Sequence, residues 1–402
     1  MSPSRTPPHL LTLILLTGFS PLSLNMFMPS LANIATDLAT DYSKASLAVS
    51  GYLALTATIQ LIIGPLSDRI GRRPVLLGAV FVFACASVGC VFAQDITTFL
   101  IFRMLQGGVA AGFTLSLAIV RDTRTEEQAV SLIGYIGMSM AIAPMLGPML
   151  GGLLDTLFGW RSVFVFYAVS GWILFVLSWI DVGETWPNTT KDRTAPAAKP
   201  TALLAEPLFW CFSLCGAFSI GGFFIFITGA PLIAVSVFDL TTAQVGLGIG
   251  SITFGFMVGG FIAGRFGRIM GPTTLLIAGR VSACMGASLG LVLLSLGVSS
   301  PQFFFACTVF VGLGNGLTIP ASNTGAMSVK PELAGSAAGL NAAVIQGTGA
   351  VLTAITGRIV AQSSTAETVL ILLLSASCIS LCCAICAAKL RPLRIVQQTA
   401  ES

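Results

Sequence analysis

The chain has 402 residues, of which 55% are hydrophobic and only 9% are charged, and its formal net charge is +4. A soluble domain carries about 25% charged residues, so this composition excludes a soluble globular protein and predicts one whose solvent is a lipid bilayer. The small positive charge gives no reason to expect a nucleic-acid partner.

A membrane-spanning helix needs about 20 mostly apolar residues. Twelve such segments are predicted along the chain: Leu10–Leu31, Ala45–Leu66, Val75–Ala93, Phe99–Val120, Val130–Leu153, Val163–Val182, Leu208–Val237, Gln244–Ala263, Leu275–Val298, Phe303–Ser322, Ala337–Val360 and Thr368–Ala388. The sequence therefore predicts an all-α integral membrane protein. The first segment is too long for a cleaved signal peptide, and no small-residue cleavage site and soluble domain follow it.

The basic residues predict the orientation of these helices. If the N-terminus faces the cytoplasm, most of the 20 Lys and Arg residues fall in cytoplasmic segments, and the opposite side holds only Lys44, Arg161 and Arg358. Loops rich in Lys and Arg stay on the cytoplasmic side of a membrane. Both termini are therefore expected in the cytoplasm.

Neither a metal nor another cofactor is expected. The single histidine, His9, precedes the first span, which excludes histidine-based metal sites and proton relays from the membrane. Cys382, Cys383 and Cys386 cluster in the last span without a histidine or carboxylate. We interpret them as small packing residues, with a metal site as the alternative.

A polar, proline-bearing segment follows the sixth span and predicts a division of the chain. We expect a first six-helix half over residues 1–183, a cytoplasmic linker over 184–206 and a second six-helix half over 207–402.

Gly64–Pro74 reads GPLSDRIGRRP, a tight charged loop between two apolar segments in which glycine and proline permit a sharp reversal. A similar pattern follows the eighth span. The alignment places Gly64 on Gly260, Arg69 on Arg265, Gly71 on Gly267 and Arg72 on Arg268, while Asp68 falls on Gly264. The sequence thus predicts two pseudo-symmetric halves that are parallel repeats.

Two arginines fall inside predicted spans. An arginine in a spanning helix is costly and indicates function by default, so Arg103 is a candidate functional residue, with Gln106 one helical turn further along the same face. The alternative for Arg103 is a side chain that snorkels to the outer interface. Arg280 lies about two turns into the ninth span and is expected to snorkel to the cytoplasmic interface.

The fifth span is rich in glycine and proline. Gly147 and Gly151 form a small-residue face that permits close helix contact, and Pro144 and Pro148 each remove a backbone hydrogen bond and favour a bend. Ordinary glycine-rich packing is the alternative interpretation.

These motifs resemble those of the major facilitator superfamily of transporters. Gly64–Pro74 resembles its loop between helices 2 and 3, Arg103–Gly108 its helix-4 arginine motif, and the GPMLGG stretch at Gly147–Gly152 its helix-5 antiporter motif. Residues Ser20–Pro29, Val120-Arg121-Asp122 and Gly159-Trp160-Arg161 resemble the bicyclomycin/chloramphenicol-resistance branch of twelve-span drug:proton antiporters.

The resemblance implies a monomeric exporter in the bacterial inner membrane that works by alternating access. Its substrates would be small amphipathic compounds and antibiotics, and its coupling ion the proton. Residues implied in the substrate cavity are Asn25, Phe27, Arg103, Gln106, Phe223, Phe226 and Asn315. Residues implied in a conformational latch are Gly64, Asp68, Arg69, Gly71 and Arg72, and the antiporter motif comprises Pro144, Gly147, Pro148, Gly151 and Gly152.

One departure from the branch concerns helix 1, where Asn25 stands at a position that is commonly acidic. Every Asp and Glu falls in a loop or within about a turn of a span end, which leaves the proton route open. A metabolite permease remains an alternative, because an anionic or zwitterionic substrate could pair with Arg103. A membrane enzyme is disfavoured, since the spans contain neither histidine nor a mid-membrane carboxylate pair.

Overall fold

The computed structural model describes residues 8–123, 144, 146–185, 201–330 and 333–401, and the regular elements in these ranges are helices. In chain order they are α1 (Leu10–Asn25), a 3₁₀ turn (Met28–Ser30), α2 (Leu31–Asp37), α3 (Tyr42–Ile70), α4 (Arg72–Phe92), α5 (Ile96–Leu105), a 3₁₀ segment (Gln106–Ala110), α6 (Ala111–Thr123), α7 (Leu146–Phe158), α8 (Arg161–Asp181), α9 (Thr201–Leu204), α10 (Pro207–Ser236), α11 (Thr242–Met270), α12 (Pro272–Ser295), α13 (Pro301–Ser328), α14 (Ala334–Gln362) and α15 (Ala366–Glu401).

The predicted spans overlap these helices in the described residues, which confirms an all-α membrane fold. Within the described ranges, 10 helical stretches are long and apolar enough to cross a membrane, and the two other predicted spans overlap α3 and α7. Residues 130–143 of the predicted fifth span lie outside the described residues. The first span continues through a 3₁₀ turn to Asp37, and the fourth changes to 3₁₀ geometry at Gln106–Ala110.

The chain forms two compact units. Met1–Arg193 and Leu240–Gly250 make up the first, and Thr194–Asp239 and Ser251–Ser402 the second. The division at 184–206 therefore stays a prediction, and residues 186–200 of that segment lie outside the described residues.

The backbone carries a repeat with an offset of 200 residues. α3 and α11 each contain 29 residues and end at Ile70 and Met270. Each is followed by a glycine with positive φ, Gly71 at 109° and Gly271 at 74°. The described residues also contain two non-glycine residues with positive φ, Ala39 at 46° and Asp239 at 51°, which are again 200 positions apart.

This offset corrects the alignment of Gly71 with Gly267. Gly267 lies inside α11, whereas the equivalent turn residue is Gly271. The sequence alignment matched glycines and arginines that lie inside α11 and so placed the turn four positions early. The turn position depends on where the backbone needs positive φ, which glycine adopts at little cost.

The predicted loop at Gly64–Pro74 is also wrong in extent. α3 stays helical to Ile70 and α4 begins at Arg72, so only Gly71 interrupts the helices. A Cβ atom at Gly71 would overlap the carboxylate of Glu184, which follows α8. The positive φ therefore favours glycine there, and a Cβ atom would also displace the Glu184 carboxylate.

Aromatic rings form much of the first unit's core. Phe164 of α8 makes edge-to-face contacts with Phe99, Trp160 and Tyr167, at centroid distances of 5.3, 5.8 and 5.6 Å. Phe83 of α4 reaches the same cluster through Tyr167, at 6.2 Å. Edge-to-face pairs of this kind add to the stabilisation from burial, and here they join α4, α5 and α8.

In the second unit, buried hydroxyls tie helices to α10. Ser322 of α13 donates to the carbonyl of Phe212 at 2.7 Å, and Ser380 of α15 donates to the carbonyl of Cys215 at 2.7 Å. Such bonds cross between helices without leaving a polar group unpaired in an apolar setting.

The cysteine cluster in α15 is only partly a packing feature. Cys383 is half-buried, but Cys382 and Cys386 are exposed on the helix surface.

Candidate functional site: a buried arginine in each unit

Arg103, near the end of α5, is fully buried in the first unit. Its guanidinium carbon lies 4.2 Å from the centroid of the Phe27 ring and 4.3 Å from that of Tyr52. A guanidinium over an aromatic face is stabilised by the ring quadrupole, and more strongly where water is absent. The side chain does not reach the surface, so the snorkelling alternative is wrong for Arg103.

Two hydrogen bonds complete the surroundings of this cation. Arg103 Nη1 donates to Gln106 Oε1 at 2.6 Å, and Nη2 donates to the backbone carbonyl of Ser23 at 2.8 Å. Arg103 Nε has no partner among the described residues. A neutral amide, a carbonyl and two rings therefore solvate the charge.

The ligands of Arg103 are themselves held in place. Gln106 Nε2 donates to Ser87 Oγ at 2.7 Å, which fixes the amide so that its oxygen faces the arginine. Ser23 Oγ and the Tyr52 hydroxyl share a hydrogen bond of 2.9 Å, and the Tyr167 hydroxyl donates to the Ser23 carbonyl at 3.1 Å. The arrangement joins α1, α3, α4, α5 and α8 around one charge.

Asn25 lies at the end of α1 and is buried. Its Nδ2 donates to the carbonyl of Pro21 at 2.7 Å, while its Oδ1 has no partner among the described residues. A carbonyl only accepts hydrogen bonds, so the nitrogen must face Pro21 and the oxygen is the unpaired atom. Asn25 thus offers a neutral acceptor.

Arg280 of α12 is buried in the second unit, and the expectation that it snorkels is wrong. Its Nε donates to Thr318 Oγ1 at 2.9 Å, and its Nη2 donates to Asn315 Oδ1 at 2.9 Å. Both acceptors lie one turn apart on α13. They satisfy the guanidinium inside the bundle, which removes the reason to reach for the interface.

The other two predicted cavity residues of this unit pack among aromatic rings. Phe226 is fully buried and contacts Phe304 and Phe305 of α13, each at a centroid distance of 6.1 Å. Phe223 is half-buried and contacts Phe224 at 5.8 Å.

At the turn between α3 and α4, the carboxylate of Glu184 accepts from the backbone N–H groups of Arg72 at 2.9 Å and Arg73 at 3.3 Å. A carboxylate at a helix N-terminus satisfies unpaired N–H groups and complements the helix dipole. Arg73 also donates to the Trp179 carbonyl at 2.9 Å.

Of the predicted latch residues, Gly71 and Arg72 therefore lie directly against Glu184, and the Arg69 side chain is exposed. Gly64 and Asp68 belong to α3, and their side-chain surroundings lie outside the described residues.

The glycines of the predicted antiporter motif allow backbones to approach closely. A Cβ atom at Gly151 would overlap the Met26 carbonyl oxygen, and one at Gly152 would overlap the Thr242 carbonyl oxygen. At Gly147 the nearest atoms would lie at 3.4 Å, an ordinary contact distance. Gly246 in turn lies against the carbonyl of Pro148. Pro144 is helical and precedes α7.

Among the acidic residues that the structure describes, Asp155 of α7 is the buried one, at 6% exposure. It accepts a hydrogen bond from Asn33 Nδ2 at 2.9 Å. No ion pair involves Asp155 within the described part of the chain.

The structure brings Phe27, Arg103 and Gln106 into contact, and the sequence analysis missed several residues that contact the predicted ones. The missed residues are Ser23, Tyr52, Ser87, Tyr167, Glu184, Ser219 and Thr318. For most of them the one signal available was a polar group in an apolar span, and serines are too common in spans to be singled out by it. Tyr52 and Tyr167 are two of only four tyrosines in the chain and could have been found by that signal.

Comparisons with known proteins agree with this architecture. A sequence model of the Major Facilitator Superfamily matches residues 13–354. An uncharacterized MFS-type transporter, YdgK of Bacillus subtilis, is 30% identical over 336 residues, which cover 81% of this chain and 82% of that protein. The chloramphenicol resistance protein of Pseudomonas aeruginosa is 30% identical over 335 residues, or 81% and 78% of the two chains. Multidrug resistance protein D of Escherichia coli is 28% identical over 349 residues, or 85% and 86%.

A similar fold is found in the crystal structure of a bacterial homologue of the human lysosomal transporter Spinster, in an inward-facing and unoccupied conformation. The TM-score is 0.76 with 16% identity, and the match covers 94% of this chain and 97% of that one. At this identity the likeness concerns the fold alone. The family match and the two relatives at 30% identity show that this chain is a multi-pass membrane transporter rather than an enzyme, and that it belongs to the major facilitator superfamily.

Proposed function

We propose that this transporter exports small amphipathic compounds, including antibiotics, from the bacterial cytoplasm by alternating access. It acts as a monomer in the cytoplasmic membrane, with both termini inside, and uses protons as the coupling ion. Relatives whose names record chloramphenicol or multidrug resistance support the substrate class.

The solvation of Arg103 is the observation that carries this choice. A buried cation with no partner would call for an anionic substrate. Here Gln106, the Ser23 carbonyl and two aromatic rings already surround the guanidinium. The protein meets most of the desolvation cost itself, so neutral and weakly polar substrates are compatible with the site.

Seven residues are proposed to contact the substrate along its path. In each unit they combine polar groups with aromatic surface, which suits broad specificity. They are Asn25, Phe27, Arg103, Gln106, Phe223, Phe226 and Asn315. The unpaired Oδ1 of buried Asn25 supports its inclusion, because a substrate donor would satisfy it.

We assign the conformational latch and the binding of the coupling proton to different residues. Gly64, Asp68, Arg69, Gly71 and Arg72 form the conformational latch, and the cap that Glu184 places on α4 supports a role for this turn. We assign the coupling proton to Asp155, because a buried carboxylate without a cation partner in the described residues is stable when protonated.

A permease for an anionic or zwitterionic metabolite is the second candidate. It retains one supporting observation, the unpartnered Nε of Arg103, which could donate to a substrate carboxylate. A single hydrogen bond supports an anionic substrate less strongly than a wholly unsolvated Arg103 would have done.

Expression in a bacterium that lacks its own efflux pumps tests the proposal. We expect higher resistance to at least one small antibiotic and lower accumulation of that compound. Everted membrane vesicles should take up the compound faster when their lumen is acidic than when no pH gradient is present. Uptake of an organic anion by whole cells, with unchanged resistance across a broad panel, would favour the permease instead. Cells that carry the vector without the gene serve as the control for host background.

A further inference from the structure

The side-chain amide of Asn315 is held by two donors on the same atom. Arg280 Nη2 and Ser219 Oγ both donate to Asn315 Oδ1, each at 2.9 Å. All three side chains are buried, with exposures of 1% for Arg280, 0% for Ser219 and 1% for Asn315. The contacts bring together α10, α12 and α13 within the second unit.

The chemistry of the guanidinium decides which way the amide points. Arginine carries only donors, so the atom of Asn315 that faces Arg280 must be the oxygen. The hydrogen bonds at Thr318 are also fixed in direction. Its hydroxyl donates to the Gly314 carbonyl at 2.8 Å and therefore accepts from Arg280 Nε. The Asn315 amide therefore cannot flip without placing its NH₂ group against a cation.

As a consequence, the NH₂ group of Asn315 has a fixed direction. Asn315 Nδ2 is buried and has no acceptor among the described residues. A buried donor without an acceptor is destabilising, so an acceptor brought to it relieves part of that cost. Two polar groups hold this orientation although it leaves the donor unsatisfied, which points to a ligand rather than to packing.

We propose that Asn315 donates a hydrogen bond to an acceptor on the transported compound, and that Arg280 is the positioning residue that aims it. The ligand class is a neutral amphipathic compound with a carbonyl, nitro or ether oxygen. This inference rests on the proposed export function and makes it more specific. Arg280 acts through Asn315 and does not itself touch the compound.

Asn315→Asp tests the donor with little change in size. The carboxylate still accepts from Arg280 and Ser219 but has no N–H to offer. Two probes separate the roles: chloramphenicol carries several oxygen acceptors, and tetraphenylphosphonium carries none. We expect the variant to raise the KM for chloramphenicol export at least fivefold and to leave the kcat within twofold. Export of tetraphenylphosphonium should stay equal or increase, because the variant adds a negative charge.

Arg280 is tested by two substitutions with different consequences. Arg280→Met removes the guanidinium and leaves Ser219, whose hydroxyl can accept as well as donate, so the Asn315 amide can rotate. This variant should raise the KM for chloramphenicol as Asn315→Asp does. Arg280→Lys keeps a donor for Asn315 Oδ1 and should restore part of the affinity. Ser322→Ala removes another buried hydroxyl of α13, one that bonds the Phe212 carbonyl and not Asn315, and serves as the matched control, with less than a twofold change in KM expected. Melting temperatures of the purified variants in detergent report whether each one folds.

The outcomes separate the two levels of the proposal. If the wild type exports both probes and Asn315→Asp changes neither KM, or changes both equally, the donor role is wrong and the export function stands. If the wild type exports neither probe and raises resistance to no compound of the broad panel, the proposed function fails and the donor role fails with it. Should Asn315→Asp not fold, binding of chloramphenicol to Asn315→Ala, which has no side-chain donor, decides the matter through the rise in melting temperature. An unchanged rise relative to wild type would overturn the proposal.

Discussion

The guanidinium carbon of Arg103 lies 4.2 Å from the centroid of the Phe27 ring, and both side chains are fully buried. Phe27 follows the end of α1 and Arg103 lies near the end of α5, so this contact couples two helices that the sequence separates by 76 positions. A movement of α1 relative to α5 therefore changes the surroundings of a buried charge.

Substitution of Arg103 should separate charge from geometry. Arg103→Lys keeps the positive charge but loses the planar group that stacks on Phe27 and Tyr52 and donates to Gln106 and Ser23 at the same time. We expect at least a tenfold loss of export in vesicles. Arg103→Ala should abolish export and lower the melting temperature, because a hydrogen bond to a charged group contributes about 1.5–3 kcal/mol. Arg358→Ala, at an exposed arginine of α14, is the control for removal of a cation. Normal export by Arg103→Ala would contradict a functional role.

Asn25→Asp tests whether the neutral residue in α1 alters selectivity and coupling. The aspartate keeps Oδ1 but replaces the Nδ2 donor to Pro21 with a second oxygen, and it adds a buried charge when ionised. We expect a shift towards cationic substrates and a steeper dependence of export on pH. Initial export rates for one neutral and one cationic compound, measured from pH 6 to 8, provide the comparison. Unchanged selectivity and an unchanged pH profile would show that α1 takes no part in coupling.

Asp155→Asn tests the proposed proton site directly. The amide can still accept from Asn33 but cannot exchange a proton. Substrate should still move down its own concentration gradient, while the stimulation by an acidic vesicle lumen should disappear. Asp239→Asn, in a turn outside the spans, is the matched control and should respond to the gradient as the wild type does. A full response by Asp155→Asn would remove Asp155 from the coupling route.

Gly151→Ala should destabilise the protein far more than Gly147→Ala. The added methyl group would overlap the Met26 carbonyl oxygen at position 151, whereas at position 147 it meets atoms at 3.4 Å. Overpacking of this kind costs about 1–3 kcal/mol. Thermal unfolding in detergent gives the measurement, and equal melting temperatures for the two variants would contradict the close approach of α7 to the end of α1.

The cap on α4 makes a graded prediction. Glu184→Gln keeps an acceptor for the N–H groups of Arg72 and Arg73, and Glu184→Ala removes it. Loss of an N-terminal cap costs about 0.5–2 kcal/mol, so the melting temperatures should fall in the order wild type, Gln, Ala. Gly71→Ala should be worse than both, because its backbone has a φ of 109° and its Cβ would overlap Glu184. Gly78→Ala, which would meet no atom within 4 Å, is the control.

Much of the fold could be predicted from local patterns. A stretch of about 20 apolar residues must form a helix in a bilayer, because no water is present to bind its backbone. Arg103 and Gln106 could be paired from a second local rule, since residues three apart share one face of a helix whatever surrounds it. The turn after α3 was less predictable, because Gly64 and Gly71 both suit a turn and no local pattern says which of them adopts positive φ.

By itself, the sequence determined the membrane environment, the spans and the presence of two arginines inside them, because each of these depends on the chemistry of neighbouring residues along the chain. Only the tertiary structure decided what those arginines do. Arg280 could reach the interface or remain inside, and the choice depends on Thr318 and Asn315, which belong to another helix. The direction of the Asn315 amide depends in turn on Arg280. Burial and hydrogen-bond direction are properties of several helices at once, so no local pattern contains them.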